Sequence, residues 1–199
     1  PGWWEVEAIV RRRGRPDVLA GFPLRLGDRE ARRTGPPGSE LLGMMASAMF
    51  QLRSWREAQQ ITDGAGGVVM TWFDLVHPNR LRYRTATGTE AVIIAQTQYI
   101  RVNGGPWETR TLPTAFWVDD YLRAYLVDTQ AIVRGREMPC DDERCAVVLW
   151  EAPGASAAFA AWVGLRTYRM HRLLMSAPSH FMTSRLSDFN ADLRIRPPR

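Results

Sequence analysis

Apolar and polar positions change rhythm along this chain at Gly64. Before it, Leu41, Met45, Ala48, Leu52 and Trp55 recur at spacings of three and four, the apolar stripe of a helix, and Leu42 and Met49 widen it. Ser39 stands where an N-cap is expected, Glu40 falls in the first turn, and Gly64 closes the segment. A stripe this broad must be buried against something. After Asp63-Gly64 the period drops to two. Residues 67–76 are rich in strand formers, His77-Pro78-Asn79 is a turn, and Arg80, Arg82 and Arg84 alternate with Leu81, Tyr83 and Thr85. Strands are expected over 90–95 and 98–102, the second ending at Asn103-Gly104-Gly105, which tolerates the positive φ of a tight hairpin. Phe116, Trp117, Leu122 and Tyr125 return to helical spacing. Strand patterns resume over 131–136, 146–151, 157–165, 167–176 and 180–189.

Short strands joined by tight turns pair with their chain neighbours in antiparallel fashion, and so many in one sheet must curl. The long helix comes first and has only the concave face on which to bury its stripe. The predicted class is therefore α+β: a strongly curved antiparallel sheet, a half-open β-barrel, wrapped around an internal helix. Residues 1–38 do not share this pattern and form an N-terminal segment ahead of a domain over 39–199. Trp3 and Trp4 beside Arg11-Arg12-Arg13 suit an edge strand with a polar loop, or equally a membrane interface.

Composition narrows the function. A chain of 199 residues holds one sizeable core, and no run approaches the roughly 20 apolar residues that cross a bilayer. With Pro at residue 1, the chain reads as an excised or processed piece of something longer. The net charge of +5 rests on arginine alone, for there is no lysine. That removes P-loop lysines, Schiff-base lysines and Ser-x-x-Lys nucleophiles. Gly154-Ala-Ser156-Ala lacks the second Gly of a nucleophile elbow, and no His-Glu-x-x-His pair occurs. Asp119-Asp120 and Asp141-Asp142-Glu143 read as solvated or capping acids rather than acid–base pairs. We expect no catalytic residues and no cofactor. Arg80, Arg82, Arg84 and Arg101 form a basic stripe, but scattered carboxylates and the absence of an exposed aromatic series argue against nucleic acid. Anionic lipid or a protein partner remains.

Cys140 and Cys145 are separated by Asp-Asp-Glu-Arg. They suit a disulfide across a tight turn and an oxidising compartment, with free buried thiols as the alternative. Neither the spacing nor a nearby His pair suits zinc. A second constellation, Met170-His171, Met175 and His180-Phe181-Met182, offers thioether and imidazole for copper, with His171, His180 and Met182 as ligands. Met170 and Met175 differ in parity along one strand, which favours core packing over a metal site.

The middle of the chain resembles a known family. Ser54-Trp-Arg56, then Phe73-Asp-Leu-Val-His-Pro78-Asn-Arg80-Leu-Arg-Tyr83, Gly88-Thr-Glu90-Ala-Val-Ile-Ile, Tyr99-Ile-Arg-Val-Asn and Pro106-Trp107-Glu108 look like the periplasmic lipoprotein-carrier superfamily. That group holds the Lol-type carriers and related mycobacterial lipoprotein lipid-binders. The resemblance runs over about 39–195 and implies an open barrel with an apolar cavity for acyl chains. The ending, from Met175-Ser-Ala-Pro178 to Asp188-Phe189-Asn190, is more weakly similar to domains fused behind copper-resistance-type membrane proteins. The expected function is extracytoplasmic, carrier-like binding of lipid or lipoprotein acyl chains by a periplasmic monomer, free or membrane-tethered. The expected cavity residues are Leu52, Trp55, Val69, Trp72, Leu81, Tyr83, Ile93, Ile100 and Trp117. The alternatives are a sensory or copper-handling domain of a membrane protein, and a non-catalytic protein-interaction module.

Overall fold

A computed structural model describes residues 2–10, 18–26, 35–62, 67–178 and 180–199. Arg11-Arg12-Arg13 and Gly64 lie outside the described residues. Strand β1 (Gly2–Val10) pairs antiparallel with β2 (Val18–Leu26), Trp4 opposite Leu24, as a two-stranded sheet of its own. The expected first strand is present, but it does not border the large sheet. Its partner β2 carries Gly21 and Pro23, which mask a strand pattern.

Helix α1 (Gly38–Phe50) buries Leu41, Leu42, Met45 and Met49. It is shorter than its stripe suggests. Leu52 falls in the connection after it, and Trp55 lies on β3 (Ser54–Thr62). Trp55 is not part of the helical face. Strand β3 lies between two hydrogen-bonded neighbours, so pairing on both edges overrides a spacing that continues the helical period by coincidence. The helix start depends on Gly38, where any Cβ would strike the backbone of Val133 and Arg134. The Arg134 guanidinium also donates to the Pro36 carbonyl at 2.7 Å.

The remaining strands are β4 (Val68–Val76), β5 (Arg80–Thr85), β6 (Thr89–Ile94), β7 (Thr97–Val102), β8 (Glu108–Thr111), β9 (Gln130–Cys140), β10 (Glu143–Ala152), β11 (Ala157–Gly164), β12 (Met170–Ala177) and β13 (His180–Ser187). A short helix, α2 (Val118–Arg123), follows β8. Among the described residues these strands and β3 form one 11-stranded sheet in the order β8-β7-β6-β5-β4-β3-β13-β12-β11-β10-β9. The sheet is open, with the consecutive strands β8 and β9 at its opposite edges, and neighbouring strands are sequential except where β3 meets β13. This is the α+β half-barrel class expected from the sequence. Strand β8 escaped the pattern because all four of its residues are exposed and none is apolar.

The described residues divide into two compact units, one drawn from 1–49, 61–68 and 128–183, the other from 50–60, 69–127 and 184–199. In the first, β10 and β11 are buried along nearly their whole length. Trp150 stacks on Phe159, directly across the ladder, with ring centroids 5.2 Å apart. In the second, the register Trp72↔Arg84, Phe73↔Tyr83, Asp74↔Arg82 continues as Arg82↔Val92, Tyr83↔Ala91, Arg84↔Glu90. Directly opposed residues share a face. Phe73, Leu75, Leu81, Tyr83, Ala91 and Ile93 therefore form one face, and Trp72, Asp74, Arg82, Arg84, Glu90 and Val92 the other. Helix α2 packs on the first, its Tyr121 ring 6.2 Å from Phe73.

Candidate functional site

A cleft of about 670 Å³ opens in the second unit, lined by strands β3 to β6, by Trp107 and by the C-terminal residues Ser187, Arg196 and Pro198. Its charged wall is the face opposite α2. Arg82 and Arg56 both reach Asp74, Arg82 Nε at 2.8 Å and Arg56 Nε at 3.1 Å. Arg56 also donates to Asp188 at 3.2 Å. Glu90 accepts two hydrogen bonds from Arg101, at 3.1 and 2.9 Å. These acids neutralise three of the arginines. Arg84 and Arg196 line the cleft with no ion pair among the described residues. Arg84 lies 4.9 Å over the Trp72 ring, and Arg101 lies 4.6 Å over Trp107, arrangements in which an aromatic face carries a cation. The cleft thus pairs aromatic surface with two arginines that have no ion pair among the described residues.

On the α2 face the same unit buries a carboxyl group. Glu57 is 4% exposed. Its Oε1 accepts from Ser184 Oγ at 2.6 Å and Gln59 Nε2 at 3.3 Å, and its Oε2 accepts from Tyr121 Oη at 2.9 Å. Burial pushes the Glu57 carboxyl above its ordinary value, and the hydrogen bonds from Ser184, Tyr121 and Gln59 offset only part of that. Tyr125 donates to Tyr121 Oη at 3.4 Å, and burial pushes its phenol up to about 12. This network ties α2 to β3 and β13.

The nine expected cavity residues scatter. Leu52, Trp55, Leu81 and Ile93 are buried. Leu81, Tyr83, Ile93 and Ile100 share the α2 face by register, whereas Trp72 lies on the opposite face, and Val69 lies on β4 ahead of that register. Trp117, before α2, is 47% exposed. Of the nine, Trp72 and Tyr83 line the cleft. Sequence reasoning singled out neither Glu57, which falls within the segment read as helical, nor Arg196. The strand parity of Trp55, Glu57 and Gln59 was the signal for the first.

In the first unit Cys140 and Cys145 form the expected disulfide, with Cα atoms 5.8 Å apart, across the β9–β10 turn. His171 on β12 lies beside it, while His180 and Met182 lie on β13, Met182 buried.

No family model and no curated protein matches the sequence. Solved structures do. The lipoprotein LppX of Mycobacterium tuberculosis superposes with a TM-score of 0.60 at 11% identity, over 79% of this chain and 97% of its own. LprF of Mycobacterium bovis gives 0.56 at 12% identity, over 82% and 99%. A LolA superfamily protein of Nitrosomonas europaea is also similar, with a TM-score of 0.34 at 10% identity, over 82% and 96%. The first two show the fold, and it is the one the sequence resemblance implied.

Proposed function

We propose that this protein is a non-catalytic, extracytoplasmic binder of an amphiphile, a lipid or the acyl chains of a lipoprotein, acting as a carrier-like monomer. The observation that carries the reading is the cleft, whose aromatic surface and whose arginines without an ion pair among the described residues match the two ends of such a molecule. Its volume of about 670 Å³ falls within the roughly 300–1,000 Å³ of small-molecule sites. Trp72 and Trp107 would take the apolar part, at about 0.8 kcal/mol per methylene removed from water. Arg84 and Arg196 would take an anionic end. The likeness to the lipoprotein LppX and the disulfide support a place outside the cytoplasm. The paired Trp3 and Trp4 of the N-terminal segment would suit it to meeting a membrane or a membrane protein.

Native mass spectrometry of gently purified protein should show bound lipid on a monomer. A fluorescent fatty acid should compete for the same place, and Arg84→Gln should weaken it several-fold. A wild-type protein that carries no lipid and binds no acyl probe would end the reading.

A further inference from the structure

The β9–β10 turn in the first unit holds chemistry that amphiphile binding does not use. The Sγ atoms of Cys140 and Cys145 and a ring nitrogen of His171 all lie within 4.8 Å of one another. His171 is buried, and each of its ring nitrogens meets a carboxylate: Nδ1 is 2.9 Å from Asp141 Oδ2, and Nε2 is 3.0 Å from Glu143 Oε1. Glu143 is itself held, accepting from Thr167 Oγ1 at 2.5 Å and from the Arg166 and Thr167 amides at 3.0 and 3.2 Å. Two sulfurs and one imidazole therefore lie within reach of one another, and two carboxylates hold that imidazole.

We propose that opening the disulfide with a dithiol turns this cluster into a binding site for a zinc-like divalent cation. In the exchange the S–S bond of Cys140 and Cys145 breaks and gains two electrons and two protons, giving two thiols, while the dithiol closes to its own disulfide. Metal binding then releases both thiol protons to solvent, leaving thiolate ligands. Metal–sulfur and metal–nitrogen bonds of about 2.3 and 2.0 Å put tetrahedral ligand atoms about 3.5–3.8 Å apart. The 4.8 Å spread of the cluster closes to that with side-chain movement once the sulfurs part. When one ring nitrogen turns to the metal, the two sulfurs and that nitrogen supply three ligands, and solvent or the carboxylate released from the ring supplies the fourth. The other carboxylate keeps the second ring N–H, the outer-shell contact that orients a metal-bound imidazole. Thiolate with imidazole selects zinc over calcium or magnesium. With the disulfide closed there is no thiolate, so the site exists only in the reduced protein.

The whole chain, oxidised or reduced with a trialkylphosphine under argon, is titrated with Co²⁺ and followed by absorption. Reduced protein should bind one Co²⁺ with a thiolate-to-cobalt charge-transfer band and tetrahedral d–d bands, both bleached by Zn²⁺. Oxidised protein should show neither. His171→Gln should weaken Co²⁺ binding at least tenfold, and the more exposed Asp141→Asn should also weaken it, within the roughly 10–100-fold typical of ligand-orienting groups. A reduced protein without the charge-transfer band, or both variants binding with wild-type affinity, overturns the proposal. So does loss of native circular dichroism both on reduction and in the Cys140→Ser/Cys145→Ser double variant, because the cluster then has no folded frame.

Discussion

Strands β10–β11 of the first unit and β4–β6 of the second are built from the same antiparallel pairing, yet they are filled in opposite ways. In β11 the run Ala157-Ala-Phe-Ala-Ala-Trp-Val-Gly164 sets two aromatic rings among small residues and carries no charge. Residues 145–150 of β10 are all buried, so both faces of this ladder are covered. Alanines let covering groups come close, and Trp150, Phe159 and Trp162 fill what remains. In β4–β6 one face is apolar beneath α2, and the other carries Trp72, Asp74, Arg82, Arg84 and Glu90. A ladder buried on both sides has no room for a ligand or for unpaired charge. One left open on one side can hold arginines with no ion pair among the described residues, and the cleft's charged wall is found there.

The largest test of this contrast is Trp150→Ala. Trp150 is 2% exposed and stacked on Phe159, so its loss should cost about 3–5 kcal/mol by urea denaturation. A cost below about 1 kcal/mol would mean the ladder is not filled as described.

Glu57 should give the next largest effect. Glu57→Ala leaves the hydroxyls of Ser184 and Tyr121 without their carboxylate acceptor, at about 1–3 kcal/mol for each group left unsatisfied. Glu57→Gln separates shape from charge. Because burial raises the Glu57 value, the neutral acid is favoured in the folded state. Its contribution is complete below the ordinary carboxylate value and is lost as pH rises through the folded value. The stability of Glu57→Gln relative to wild type should therefore increase with pH across that window, in paired denaturation curves. A flat difference would show that Glu57 is ionised in the fold.

What the sequence made legible follows the same division. The period-two rhythm of Arg80–Thr85 and the Asn103-Gly104 turn identified strands whose two faces differ, because alternation records that difference directly. The helix was found but overrun. Leu52 and Trp55 fit a period of 3.6 as well as they fit burial in a turn and a strand, and periodicity alone does not separate the two over so short a stretch. The site was the least legible part. Trp72 and Tyr83 were named together, yet adjacent strand positions that meet the cleft from different faces cannot be told from two positions on one wall. Arg196 and Pro198 reach the cleft only through the path of the C-terminal segment, to which the Arg80 guanidinium donates at the Ile195 carbonyl, 2.6 Å away. Nor does spacing reveal that Asp141 and Glu143, an ordinary acidic turn in sequence, close on a histidine some thirty residues later.

The smallest expected effect on stability belongs to Trp72→Ala, the counterpart of Trp150→Ala on the open face. Trp72 is 38% exposed, and its contact with Arg84 lies on the wetter side of the ladder. An exposed cation–aromatic pair contributes about 0.5–1 kcal/mol, so the midpoint of urea unfolding should move only slightly. Binding should respond far more. The indole supplies apolar surface to the cleft and positions the Arg84 guanidinium, so its removal takes away both an apolar contact and the placement of a charge. An acyl probe should then bind at least several-fold more weakly to a protein of nearly unchanged stability. If Trp72→Ala destabilises the protein as strongly as Trp150→Ala, the two ladders are filled alike and the open face is core. If stability and probe binding both stay at wild-type values, the amphiphile does not use this cleft.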